Sequence, residues 1–458
     1  MPEFDTLTLS RAQFALAVSF HILFPTLTIG LASFLAVLEG LWLYTTEEVY
    51  LRLYRFWSKI FALSFGMGVV SGVVMSFLFG TNFSEFSRAA GNVLGPLLSF
   101  EVLTAFFLEA GFLGIMLFGW GRVSRGMHFA ATLCVAVGMF ISMFWIIAAN
   151  SWMHTPAGAE WRGGVFHPLD WWAIVFNPSM PYRFFHMMFA TYLTSAFVVA
   201  GVSAWYLLHG RERLFATRAI ALALGMAAIA APLQIFLGDL HGLNVKEHQP
   251  LKVAAMEGRW DTMAGAPLIL FALPDDAAER NHFEIGIPYG ASLILEHHFE
   301  GVVKGLKEAP PEDRPPMAPV FFGFRIMVGV GLLLLALAWA ATWFAFRGTL
   351  AEQRWLLCAL AYSTPLGFIA TLAGWYVAEI GRQPWVVQGM MRTADAVSAI
   401  EPGRVLYSLI ALAVVYGIIF TAYLHYLTAF VRRGPEVAVP LAGPTTPHVW
   451  QPALLKDS

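Results

Sequence analysis

Seven side chains in this sequence stand where apolar surroundings make them expensive. His21, Glu39, Glu101, Glu109 and Glu379 lie inside long apolar runs. His186 and Met327 lie in the first turns of two further runs, each close to an arginine, Arg183 or Arg325. An ionisable group in such a run costs several kcal/mol unless it is paired or has a task. Histidine, methionine and carboxylate are also ligands of haem iron, and a His/Met pair is a common low-spin arrangement. The ordinary reading weighs against this. A lone buried histidine more often makes a packing hydrogen bond, and a methionine among 18 is usually core. Glu39, near the end of its run, reads as a snorkelling side chain. Glu101 and Glu109 are eight residues apart, which on an α-helix is an offset of about 80° and a rise of about 12 Å. Two carboxylates so placed suit a proton relay. These residues alone leave haem one option among several.

The elements that must position them are set by composition. The chain has 458 residues, 58% apolar and only 13% charged, with a mean hydropathy of +0.64. A soluble domain carries about 25% charged residues, so this is a polytopic membrane protein. A soluble enzyme and a disordered chain are excluded, and a net charge of −2 argues against a nucleic-acid partner. Cys134 and Cys358 both lie in apolar runs, which leaves no disulfide framework. The first ten residues carry Glu3 and Asp5 and no Lys or Arg, unlike a cleaved signal.

Nine apolar runs are long enough to cross a bilayer: 12–43, 54–79, 95–120, 127–149, 183–208, 217–240, 320–346, 355–380 and 404–430. They are continuously apolar rather than alternating, which excludes a barrel. The expected fold is all-α, a polytopic membrane helix bundle of about nine transmembrane helices with one large extracytoplasmic loop. Residues 1–240 hold helices 1–6, 241–319 the loop, and 320–458 helices 7–9 with a short cytoplasmic tail. In the short loops one side carries thirteen Lys and Arg: 52, 55, 59, 122, 125, 211, 213, 218, 347, 354, 432, 433 and Lys456. The other carries seven: 11, 88, 162, 183, 382, 392 and 404. The richer side is cytoplasmic, so the N-terminus and the 241–319 loop lie outside. His186 and Met327 then open spans that enter from outside, Glu379 closes one that leaves, and His21 lies roughly 15 Å in. The candidate ligands gather in the outer half of the bilayer. The loop is dense in polar groups at 238–260 and Pro-rich at 308–319. No internal repeat is visible, which weakens an inverted-repeat transporter.

At these residues the chain resembles subunit I of cytochrome bd-type quinol oxidases. GWYVAEIGRQPW at 374–385 carries the resemblance most strongly, followed by GDLHG…QPLKVAAMEGRW at 238–260. RFFHM at 183–187, FRIMVG at 324–329 and EVLTAFFLE at 101–109 complete it, so it runs over nearly the whole chain. After Glu257 only about 60 residues precede the seventh span, which resembles the family's short-loop group, including the cyanide-insensitive oxidases.

The resemblance implies a haem-containing subunit of a terminal quinol:oxygen oxidoreductase in the bacterial cytoplasmic (inner) membrane. It implies His186 and Met327 as ligands of low-spin haem b, with Arg325 beside them as a propionate or electrostatic partner. It implies His21 and Glu379 as ligands of two high-spin haems, one haem b and one haem d or a further haem b in its place. Trp375 would aid electron transfer between haems, and Arg382 would bind a propionate. Lys252 and Glu257 would bind quinol, ubiquinol or menaquinol, in the outer loop. Without the resemblance both read as solvated loop charges. Glu101 and Glu109 would carry protons to the oxygen chemistry. Implied partners are a second hydrophobic subunit (subunit II), small accessory subunits, oxygen and the membrane, with no nucleic acid. Proton-motive force would come from charge separation, and nothing in the sequence points to a pump. The rival readings are a secondary transporter using the buried carboxylates, and a haem-bearing membrane anchor that never meets oxygen.

Overall fold

The computed structural model describes residues 5–436. Lys456 and the tail assigned to the cytoplasm from 437 onward lie outside the described residues. Among the described residues, eight helices are long and apolar enough to cross a membrane, and a bent pair makes a ninth. In chain order the long helices are α1 (Thr6–Thr45), α2 (Glu48–Thr81), α3 (Ser84–Glu101) running through a π-helical turn into α4 (Phe107–Phe118), and α5 (Arg125–His154). After a hairpin of β1 (Ala159–Arg162) and β2 (Val165–Pro168) and the short α6 (Trp171–Val175) come α7 (Met180–Leu208) and α8 (Arg213–His248). The broken span is α12 (Arg354–Tyr362) and α13 (Leu366–Ile380), bent by 41°. Pro365 sits at the break, where it cannot continue the preceding helix.

The sixth span reaches His248, so the first eight residues expected in the loop, 241–248, are helical. The loop proper is folded rather than structureless. It holds α9 (Pro250–Glu257), β3 (Met263–Ala264), a hairpin of β4 (Leu268–Asp275) and β5 (Arg280–Ile287), α10 (Gly290–Glu296), and β6 (Val302–Val303) paired with β3. Then follow α11 (Met317–Phe346), the broken span, a small hairpin of β7 (Trp385–Val387) and β8 (Met391–Arg392), and α14 (Pro402–Arg433).

The centre of the bundle is α1 with α7. The most apolar stretch of each is 67% buried, against 11% for α14, so α14 faces outward along its length. Close approach of α1 to α7 depends on Gly30, where a Cβ would collide with Ser195 and the Thr191 carbonyl; Ser195 also donates to the Leu27 carbonyl at 2.8 Å. Helix interiors tolerate proline where another group takes the freed carbonyl. Pro232 leaves the Ala228 carbonyl without its helical partner, and Trp339 of α11 donates to it at 3.2 Å. The largest apolar cluster, built on Leu31, Leu35, Trp57, Phe61 and Phe197 with parts of α8, α11 and α12, fills the half of the bundle away from the loop. The expected ligands lie in the other half, where His21, His186, Met327 and Glu379 are only part-buried.

Candidate functional site

The first constellation is set by two helices that face each other across α8 and α13. Both α7, carrying His186, and α11, carrying Met327, pack against α8 and against α13. The facing positions are glycines. A Cβ at Gly238 of α8 would stand 3.2 Å from the His186 ring, and one at Gly374 of α13 would stand 2.6 Å from the Met327 sulfur. His186 Nδ1 and Gln234 Oε1 are buried without hydrogen-bond partners, and His241 lies 5.6 Å from the His186 ring. Uncommitted nitrogen, thioether and small residues opposite both fit a His/Met-ligated haem.

His21 on α1 is oriented by its neighbour. Ser71 donates to the Met67 carbonyl at 2.8 Å and accepts from His21 Nδ1 at 2.9 Å. This assignment leaves Nε2 with a free lone pair, the form in which a neutral imidazole binds metal. Glu379, on the last turn of α13, sits in a polar cage. Asn150 donates to its Oε1 at 3.0 Å, His154 at 3.2 Å, and Arg183 lies 3.9 Å away. Arg382 pairs with the other oxygen and also donates to the Val386 carbonyl. In this structure Arg382 is thus Glu379's counter-ion. Trp375 lies one turn before Glu379, between Gly374, which meets Met327, and Tyr376, whose hydroxyl lies 2.7 Å from Ser19 near His21.

The cage reaches the loop. With His154 Nε2 donating to Glu379, Nδ1 accepts from Lys252 Nζ at 3.0 Å, and Lys252 donates to Gln249 at 2.6 Å. Lys252 is 3% exposed. Burial, with Arg183 and Arg382 nearby, holds it well below the usual lysine range. Glu257 leaves another side of α9. It is 5% exposed and pairs with Arg325 at 3.0 Å, while Arg325 Nε donates to the Ile269 carbonyl at 2.6 Å. Neither residue is a solvated loop charge, and their partners differ.

Glu101 and Glu109 meet the same helix. Ser142 of α5 donates to Glu101 at 2.7 Å, and Glu109 packs on Gly138, one turn away on α5. Ideal α geometry sets the two acids about 80° apart. The π-turn at Val102–Phe106 absorbs one extra residue, about 100° of rotation, and so brings them onto nearly one line.

The family model for "Cytochrome bd terminal oxidase subunit I" matches residues 9–435. The chain belongs to this family. Among its relatives, "Cytochrome bd ubiquinol oxidase subunit 1" of Bacillus subtilis is 37% identical, with 94% of each chain covered. "Cytochrome bd-II ubiquinol oxidase subunit 1" of Escherichia coli is 35% identical over 94% of this chain and 97% of that one. The solved bd oxidase from Geobacillus thermodenitrificans superposes with a TM-score of 0.89 at 32% identity, over 95% of this chain and 100% of that one.

Within this bd-family subunit, the expectation for Glu39 fails. Glu39 does not snorkel: it is 0% exposed, 2.7 Å from His128 Nδ1 and accepting from Thr132 at 2.6 Å. Tyr54 joins Thr132 at 2.8 Å and Trp120 lies over the His128 ring, so the carboxylate finds partners inside the bundle and does not extend to water. Glu39→Leu is expected to destabilise the protein by about 3–5 kcal/mol, because His128 and Thr132 are left buried without an acceptor. Thermal unfolding should show that the double variant Glu39→Leu/His128→Leu recovers part of the loss. Additive losses would mean that the pair is not coupled.

His154, Asn150, Gln234 and His128 were not singled out by sequence. All are packed on residues that were, and only His154 and Asn150, at the α5 terminus opposite GRQPW, had a positional signal.

Proposed function

We propose that this subunit oxidises quinol beside α9 on the loop side of the membrane and takes protons for oxygen reduction from the other side. The balance is two quinols and one oxygen to two quinones and two waters. The observation that carries this reading is the course of α5, which touches Glu109 at Gly138, Glu101 at Ser142, Glu379 at Asn150 and His154, and Lys252 at His154. One helix therefore joins the acids in the apolar region to the loop.

His186 and Met327 would hold a low-spin haem b; His21 and Glu379 would hold the two high-spin haems, the second being haem d or a further haem b. When bound, haem iron supplies one-electron carriers and the centre that reduces oxygen. The chain's own groups do the rest. Glu257, held by Arg325, accepts a proton from the quinol hydroxyl. Lys252 orients the path from α9 to the Glu379 cage. Glu101 and Glu109 hold protons within the apolar region, and Trp375, one turn before Glu379 on α13, would aid electron transfer between the haems.

The positive-inside count supports a loop on the outer face of a bacterial cytoplasmic membrane and a C-terminus inside. Alignment with the E. coli relative spans 502 positions, against 442 with the B. subtilis one, for the same 94% of this chain. The E. coli relative thus carries insertions absent here, which supports the short-loop assignment. Exposed Phe100, Val102, Leu103 and Phe107 flank Glu101, and α14 is exposed along its length; subunit II or lipid would cover these faces. Accessory subunits would bind the same outward surface.

Glu257→Gln tests the quinol side. It keeps the volume and a hydrogen bond to Arg325 but cannot accept a proton. Steady-state quinol oxidation should fall about 10²-fold. The haem spectrum, and the reaction of the pre-reduced enzyme with oxygen, should stay at the parental values. Parental quinol turnover would assign the proton to another group.

A further inference from the structure

The loop hairpin carries a surface that the quinol chemistry does not use. One side of β4 packs inward, with Ile269 and Ala272 on Phe321 of α11. The other side presents Leu270, Phe271, Leu273, Phe283, Ile285 and Ile287, all exposed, with Phe283 at 77% and Ile285 at 61%. Phe271 stands opposite Ile285 in the register. Phe283 is held outward with φ of 54°, a left-handed conformation that a bulky aromatic rarely adopts. The carboxylate beside it, Glu284, turns aside to accept from Asn281 at 3.2 Å. Asp275, Asp276, Glu279 and Arg280 are at the hairpin tip, away from the apolar strand centres.

Depth decides what covers this face. The 30-residue α11 is about 45 Å long, close to the full thickness of a bilayer with its headgroups. Arg325 lies eight residues, about 12 Å, inside its first residue Met317, and Arg325 is bonded to the Ile269 carbonyl at 2.6 Å. The strand therefore lies at headgroup level or deeper. Its apolar face continues through the neighbouring rings of Phe271 and Phe322, 6.4 Å apart, to the exposed Ile326, one turn on along the same side of α11. An exposed apolar patch of this kind marks an interaction surface.

We propose that the β4–β5 hairpin is immersed in the lipid leaflet on the loop side, with Phe271, Phe283 and Ile285 against acyl chains, and that it forms one wall of the lateral entrance by which a quinol's isoprenoid tail reaches Glu257. The second part rests on the quinol reading above; the first does not. Glu257 and the hairpin share Arg325, so a headgroup at Glu257 leaves its tail beside this apolar face.

The test uses the complete oxidase in lipid nanodiscs, with Cys134→Ser and Cys358→Ser in the background. A nitroxide attached through Phe283→Cys should collide with oxygen severalfold more often than with a water-soluble nickel chelate, as should one through Ile326→Cys. A label through Asp276→Cys at the tip should show the reverse preference. Nickel preference at position 283, or shielding there from both reagents as by a covering protein, would overturn the immersion. In unlabelled protein, Phe271→Ser/Phe283→Ser should raise KM about tenfold for a long-tailed quinol supplied in the bilayer, with kcat and the KM of a short-tailed quinol unchanged. Equal effects on both quinols would overturn the entrance. If parental protein oxidises neither quinol, the quinol reading fails while the labelling result stands by itself.

Discussion

Glu379→Ala is expected to lower the haem-to-protein ratio, with one high-spin haem lost or displaced, while Glu101→Gln retains the full complement. The two carboxylates look alike in sequence but have different surroundings. Glu379 is caged by Arg382, His154, Asn150 and Arg183 at the loop end of α13. Glu101 has Ser142 and stands among exposed apolar side chains. Removing the Glu379 carboxylate also leaves Arg183 and Arg382 without their anion, which endangers folding. Glu379→Gln removes the same charge but keeps a carbonyl oxygen to which Asn150, His154 or Arg382 can donate, so its folding cost is smaller than that of alanine. It should fold and still bind the affected haem about 10–100-fold more weakly. The Glu101→Gln defect should appear in proton-coupled steps, as slower oxygen reduction in single turnover with a larger solvent isotope effect. Haem quantification with single-turnover kinetics checks both. Equal haem loss in the two would defeat the division of roles, and retained haem with fast oxygen chemistry in both would remove these acids from the mechanism.

Met327→Leu is expected to abolish the reduced low-spin haem b band and to slow quinol oxidation by at least about tenfold. Leucine has nearly the volume of methionine, so packing against Gly374 is maintained and only the thioether is withdrawn. The other haem bands should remain. An unchanged visible spectrum in the variant would remove Met327 from the ligand set.

The spans were legible because an apolar run of membrane length admits few alternatives to a helix. Their ends were less so. The polar stretch 241–248 gives no apolar signal, yet it continues α8 because its backbone is already helical and Asn244 finds the Pro178 carbonyl at 3.1 Å. The broken eighth span is continuous in hydropathy, since Pro365 interrupts an apolar run without shortening it. Lone intramembrane residues could be found by cost, but not their partners. Glu39 looked like a snorkelling end residue because its acceptor role depends on His128 and Thr132, 89 and 93 positions away. The common facing of Glu101 and Glu109 depends on a π-turn, and hydropathy has no signature for one. Lys252 and Glu257 read as surface charges because a loop is normally solvated. Here α9 is pressed against α8 and α11, which takes both side chains out of water.

The most direct test of the account is an anaerobic visible spectrum of the purified complex, recorded before and after addition of a quinol and again after admission of oxygen. Haem bands from both low-spin and high-spin haem are expected, with their reduction by quinol and full reoxidation by oxygen at two quinols consumed per oxygen. Six-coordinate haem alone, reduced by quinol but left reduced by oxygen, would make the chain an electron-passing anchor. A complex that folds without haem absorption would contradict the account outright and return its buried carboxylates to a transporter.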